Sequence, residues 1–167
     1  MTAKFLLAAL AAATVAPSIA RADDCARKVG ERLPDIKATD SNDKATTIRA
    51  SSGWIFVTVG AAWCDPCAKE LPAWDKIAPQ HPKLQWYAVD IDEKSADGKA
   101  FHAKLDIKNM NRTYTQPANI ANLGSVMPSS YVVDSKGVIR YERCGFEKGD
   151  VSGEIKAMTD ALAKLGL

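Results

Sequence analysis

An α/β domain is predicted by three features of the chain. Apolar β-branched and aromatic runs suited to core strands alternate with helix-period stretches, a hairpin signature lies near the end, and an amphipathic helix closes the sequence. Two further short strand-like runs precede the first core strand and predict an N-terminal β extension.

The elements follow in order. Residues 23–33 form a polar lead-in. Residues 35–40 and 45–48 read as short strands around the turn-like Ser41-Asn42-Asp43-Lys44. Residues 54–59, W-I-F-V-T-V, suit a central buried strand, and Gly60-Ala61-Ala62 closes it. From residue 64 to about 78 the pattern is helical, with Cys67, Leu71, Trp74 and Ala78 on one stripe; Pro72 falls inside and should kink the axis. Residues 84–91 form a second core strand, and residues 97–105 a short helix with Asp97 near its start. Residues 106–117 read as loop, and 118–123 as one or two helical turns before Gly124. Residues 131–133 and 138–141 form a hairpin around Asp134-Ser135-Lys136-Gly137. Residues 150–165 close as an amphipathic helix with Ile155, Met158, Ala161, Leu162 and Leu165 on one side.

The first 22 residues have the layout of a secretory signal peptide. Lys4 supplies the positive charge, residues 5–15 are an uncharged apolar run, Pro17 ends it, and Ala20-Arg21-Ala22 is an A-x-A-like cleavage site before Asp23. About a dozen apolar residues fall short of the ~20 that a spanning helix needs, so an uncleaved anchor is the weaker alternative. An extracytoplasmic location, periplasmic in a bacterium, follows as the expectation. Removing residues 1–22 takes Lys4 and Arg21 from the 22 basic residues, leaving 20 against 20 acidic ones. That balance gives no electrostatic footprint for nucleic acid. Residues 23–167 fit one domain.

Chemistry concentrates at Trp63-Cys64-Asp65-Pro66-Cys67. Two thiols separated by two residues can bridge, and a helix starting at the first lowers its pKa, so one can attack and the other resolve. A structural zinc site would need a second close pair, and the two histidines, His81 and His102, stand elsewhere in the sequence. Haem attachment would need His after Cys67, where Ala68 stands. Cu(I) delivery is the non-enzymatic rival, because soft thiolates select Cu(I) and Met127 could supply a further ligand. Glu70, three residues after Cys67 and four before Trp74, falls at or near the buried stripe; a partly buried carboxylate there has a raised pKa and can exchange a proton with Cys67. Trp63 reads either as core or as a flat contact surface shielding the sulfur. Mutual pairing is the simplest arrangement for Cys25 and Cys144, with free thiols or an intermolecular bridge as alternatives.

The order strand, CxxC, helix, strand, helix, hairpin, helix resembles the thioredoxin fold, a mixed central sheet flanked by helices. Within it the chain resembles the TlpA/ResA-like family of exported thiol-disulfide oxidoreductases, from Leu33-Pro34-Asp35 to the last helix. The residues that carry this are Ala62-Trp63-Cys64-Asp65-Pro66-Cys67-Ala68-Lys69-Glu70-Leu71-Pro72, then Met127-Pro128-Ser129-Ser130-Tyr131-Val132-Val133-Asp134 and Lys136-Gly137. The resemblance implies an enzyme without cofactor or resident metal. Cys64 would be the attacking thiolate, exposed at the helix N-terminus, Cys67 the resolving thiol, and Glu70 the group that manages its proton. A cis Pro128, with Trp63 and Met127, would help dock an extended client segment. It further implies a monomer that reduces disulfides of selected exported clients, as in cytochrome c maturation or copper-site assembly, and draws electrons from a membrane donor. A general disulfide-forming oxidase is the alternative direction.

Overall fold

The computed structural model describes residues 25–51, 53–123, 126–145 and 150–167. The segment read as a signal peptide lies outside the described residues. Among the described residues seven strands form one sheet: β1 (Ile36–Asp40), β2 (Ala45–Ile48), β3 (Trp54–Gly60), β4 (Leu84–Asp90), β5 (Asn111–Tyr114), β6 (Ser129–Val133) and β7 (Ile139–Cys144). Three α-helices accompany them, α1 (Asp65–Ile77), α2 (Ser95–Lys104) and α3 (Val151–Lys164). Their order across the sheet is β2-β1-β5-β4-β3-β6-β7. β3 and β4 run parallel, as do β4 and β5, whereas β6 joins β3 antiparallel, so the sheet is mixed as expected.

β3 lies inside the sheet, between β4 and β6, because its sequence tolerates burial on both faces. Phe56 points toward the helices, where it meets Trp74 of α1 and Trp86 of β4 at ring-centroid distances of 5.4 and 4.6 Å. Ile55, Val57 and Val59 point the other way, into a second apolar cluster with Ile36, Ile48, Ile120, Leu123, Tyr131 and Val133. The helical side is closed by Leu71 and Trp74 of α1 and by Met158 and Leu162 of α3. Pro72 stays inside α1 rather than ending it. Asp150 caps α3, its side chain accepting from the Gly153 N–H at 2.8 Å.

Residues 106–117 hold more order than a loop. β5, inside that span, pairs with β4 on one side and β1 on the other, and so links the N-terminal extension to the central sheet. Its sequence, Asn-Arg-Thr-Tyr, is four residues long and mostly polar, too short for period-two patterning to register. A tertiary contact organises its approach: the Asp75 carboxylate of α1 accepts the backbone N–H groups of Lys108, Asn109 and Met110 at 3.0, 2.7 and 3.2 Å. α2 starts at Ser95, two residues earlier than the sequence suggests, and residues Pro117–Leu123 form a 3-10 helix where helical turns were expected.

Candidate active site at the start of helix α1

The CxxC motif is presented by the junction between β3 and α1. Gly60 ends the strand, and a Cβ there would lie 2.9 Å from Cys67 Sγ, so glycine is what lets the sulfur sit against the sheet. The turn that follows is pinned twice. The Ala62 N–H donates to Asp92 Oδ2 at 2.8 Å, and the Cys64 N–H donates to the Ala61 carbonyl at 3.0 Å. Cys64 is the N-cap of α1, and the Cys67 N–H donates to its Sγ at 3.2 Å. The two sulfurs are bonded, with Cα atoms 5.3 Å apart.

Two expectations need adjustment. Cys64 was expected to be exposed, but only 5% of it is; it packs into the helical-side cluster, with Met127 packed against that cluster. Its accessible side opens onto a shallow groove of about 420 Å³ lined by Trp63, Cys64, Asp65, Pro66 and Met127. Trp63 itself is 66% exposed, which removes the core reading and leaves the contact-surface one. The Met127-Pro128 peptide is cis. Ser129, next in sequence, pairs with Val59 one residue before Gly60, and this register sets the proline loop beside the motif.

Glu70 is buried, 2% exposed, on the helix turn after Cys67. Its Oε1 accepts the Trp74 indole N–H at 2.6 Å, while its Oε2 has no hydrogen-bond partner among the described residues. Loss of hydration on burial pushes its pKa from 4.5 up to about 8. The Trp74 bond opposes the rise, the nearby Glu154 adds to it, and Arg143 pulls back. A carboxyl that keeps its proton near neutral pH, beside a thiol, suits proton exchange with that thiol.

Sequence reasoning missed a second buried polar group behind Cys67. A cavity of about 10 Å³ is lined by Thr58, Gly60, Cys67, Leu71 and His102, so His102 lies next to the motif rather than remote from it. Burial lowers the His102 pKa from 6.5 to about 4, assisted by Arg112, and its Nδ1 lies 3.3 Å from the Tyr114 hydroxyl. Asp90, at the end of β4, is pushed up to about 7 by burial, and the neighbouring Asp92 charge adds to the rise. The alternation Ala88-Val89-Asp90-Ile91-Asp92 carried a signal, because it places two carboxylates at the buried end of a core strand. Among the described residues no group of three or more His, Cys, Asp or Glu side chains is placed to hold a metal ion.

These shifts have a sign in stability. Below pH 4.5 Glu70 is protonated in both states; between 4.5 and about 8 only the folded protein holds the proton, so stability falls as pH rises through that window. Asp90 acts likewise between 3.8 and about 7. His102 acts oppositely between about 4 and 6.5, where only the unfolded chain is protonated and stability rises with pH. The decline is therefore uncompensated by His102 above 6.5. The denaturation midpoint of the oxidised protein is expected to drop between pH 6.5 and 8, and Glu70→Gln to flatten that drop. A wild-type midpoint that stays level across this window would refute the assignment.

A CxxC disulfide at the start of a helix, with a shallow groove and a buried carboxyl beside it, marks a thioredoxin-fold thiol-disulfide oxidoreductase. The chain belongs to the AhpC/TSA family, whose model matches residues 29–142. It is similar to the thiol-disulfide oxidoreductase ResA of Bacillus cereus, with 25% identity over 144 residues covering 83% of each chain. It is also similar to the thioredoxin-like protein YneN of Bacillus subtilis, with 30% identity over 120 residues covering 66% of this chain and 68% of the relative. Among solved structures, a DsbE candidate from Chlorobium tepidum superposes with a TM-score of 0.69 at 20% identity, covering 81% of this chain and 98% of that one. A thiol:disulfide interchange protein from a Bacteroides species gives 0.66 at 19%, covering 81% and 90%. The last two show the shared fold.

Proposed function

We propose that this oxidoreductase is exported and works as a reductant of disulfides in selected extracytoplasmic clients, of the cytochrome c maturation or copper-site assembly type. It is re-reduced by a membrane electron donor and acts as a monomer. In this reading Cys64 attacks the client, Cys67 resolves the mixed disulfide, Glu70 manages the Cys67 proton, and the groove lined by Trp63 and Met127 receives the client segment, helped by the adjoining Pro128. Export rests on the signal-peptide layout of residues 1–22. Among the described residues no helix is long and apolar enough to cross a membrane.

The observation that carries the direction is the setting of Cys64. Its Sγ accepts one described backbone N–H, that of Cys67, while Pro66 has none to offer and Asp65, exposed at the first helical position, puts a negative charge beside it. A strong oxidant stabilises its reduced state through a low-pKa thiolate; here Pro66 and Asp65 limit that stabilisation to the helix start and the single Cys67 N–H. Equilibration with glutathione followed by alkylation is expected to place the couple nearer thioredoxin, at about −270 mV, than DsbA, at about −120 mV. Asp65→His is expected to move it toward the oxidase end. A wild-type potential close to that of DsbA would make this a general disulfide-forming oxidase. Met127 shares the groove with Cys64, which keeps a Cu(I) carrier as the second reading. Metal-free protein that catalyses dithiol exchange supports the enzyme; tight Cu(I) binding without exchange supports the carrier.

A further inference from the structure

The sheet face beneath α1 carries two successive cross-strand rows. In the first, Phe56 of β3 pairs with Val132 of β6, and Val132 with Tyr141 of β7. One step toward the motif, Thr58 pairs with Ser130 and Ser130 with Arg143. Alternate residues of a strand share a face, so this second row is a polar line on the helical side of the sheet. It begins beside Cys67, since Thr58 lines the small cavity with that residue, and Ser130 Oγ donates to Thr58 Oγ1 at 2.9 Å. It ends at the ion pair of Arg143 with Glu154 of α3, where the arginine side chain is 33% exposed and the glutamate 5%.

Glu70 comes to this row from α1. Glu70 and Glu154 are both buried, and each has one carboxylate oxygen, Oε2, without a hydrogen-bond partner among the described residues. The charged groups that act on Glu70 are Glu154 on α3 and Arg143 on β7, and Glu70 in turn acts on Tyr141 of β7; Cys67 stands one helix turn before it, and the row's members on β3 and β6, Thr58 and Ser130, are neutral. Arg143 is the positive charge among these groups, and Glu154 already pairs with it.

We propose that Arg143 and Glu154 are positioning residues that set how tightly Glu70 holds the proton it trades with Cys67. The inference rests on Glu70 being the proton partner of Cys67. When a donor dithiol attacks the Cys64–Cys67 bond, Cys64 Sγ becomes bonded to the donor sulfur and Cys67 leaves as a thiolate, which takes the Glu70 proton. The second donor thiolate then displaces Cys64, leaving two cysteine thiols and a donor disulfide, with the remaining protons exchanged with water. In the opposite half-cycle Cys67 returns its proton to the Glu70 carboxylate and attacks Cys64 Sγ of the mixed disulfide, and the client sulfur leaves as a thiolate. The charges act on Glu70 with opposite signs: Glu154 raises its proton affinity and Arg143 lowers it.

The test is a carbon-13 NMR titration of the Glu70 carboxyl in the oxidised protein, identified by its loss in Glu70→Gln, together with the pH profile of exchange with a model disulfide. Glu154→Gln should move the Glu70 midpoint to lower pH by ~1 unit, and Arg143→Met to higher pH by ~1 unit. Both variants break the same ion pair, so a merely structural role would move both midpoints the same way or neither, and that result overturns the inference. If Arg143→Met fails to fold, a midpoint in Glu154→Gln that stays put or rises overturns it alone. Opposite shifts followed by the exchange profile support it. Opposite shifts with an unmoved exchange profile would instead sink the reading of Glu70 as the proton partner of Cys67, and the inference with it.

Discussion

Cys64→Ser is expected to reduce dithiol exchange to the uncatalysed background, while Cys67→Ser is expected to stop turnover but accumulate a disulfide between Cys64 and the client. Only Cys64 of the pair lines the groove; Cys67 Sγ is turned inward against Gly60. A client sulfur arriving through the groove therefore meets Cys64 first, and Cys67 acts only from within. The serine substitution separates chemistry from folding. Cys64 is also the N-cap of α1, and serine is among the preferred N-caps, so the helix keeps its start while the nucleophile is lost. Turnover with a peptide disulfide, and non-reducing electrophoresis of the Cys67→Ser reaction, make the comparison. Residual turnover in Cys64→Ser, or a trapped complex through Cys67, would reverse the two roles.

Most of the architecture was legible because its signals are local. The run W-I-F-V-T-V has one compatible environment, a strand buried on both faces, and the structure puts it inside the sheet between β4 and β6. The α1 stripe through Cys67, Leu71 and Trp74 is likewise buried as spaced. β5 was not legible, because its stability comes from pairing with two neighbours and from Asp75 33 to 35 residues away, and four mostly polar residues record neither. The same division holds at the site. Glu70 could be placed near the stripe from its spacing to Cys67 and Trp74, since both lie on its own helix. Arg143 and Glu154 could not, because they reach Glu70 through the β6–β7 register and the packing of α3, which no single stretch of sequence encodes. Cys64 misled for the same reason: a helix N-terminus reads as exposed, and its burial comes from the helical-side cluster, against which Met127 packs from 63 residues further on.

Replacing both Cys25 and Cys144 by alanine is expected to lower stability by ~4–5 kcal/mol, on the chain-entropy account of a loop this long. The two are bonded across a sequence separation of 119. At the size of this chain the loss corresponds to a melting temperature lower by roughly 10–20 °C. The bridge joins segments that already meet. Gly30 N–H donates to Ile139 O at 2.9 Å, Ile139 N–H to Glu31 O at 2.8 Å and Leu33 N–H to Gly137 O at 3.0 Å, so the lead-in lies along β7 before the sulfurs are reached. Those bonds survive the substitution, which places the folded variant within reach and assigns the loss mainly to the freer unfolded chain. Position matters as well as loop length. Cys144 pairs with Ser129, and the Gly145 N–H donates to the Pro128 carbonyl at 2.9 Å, so the bridge anchors the strand end that supports the proline loop. Both sulfurs are buried away from the groove, and a mild reductant is therefore expected to open Cys64–Cys67 while Cys25–Cys144 persists, as alkylation and peptide mapping would record. Exchange activity in the double alanine variant should remain below its melting temperature, since neither residue belongs to the reacting pair. Free thiols at 25 and 144 in the oxidised protein, or an unchanged melting temperature in the variant, would deny the bridge this structural role.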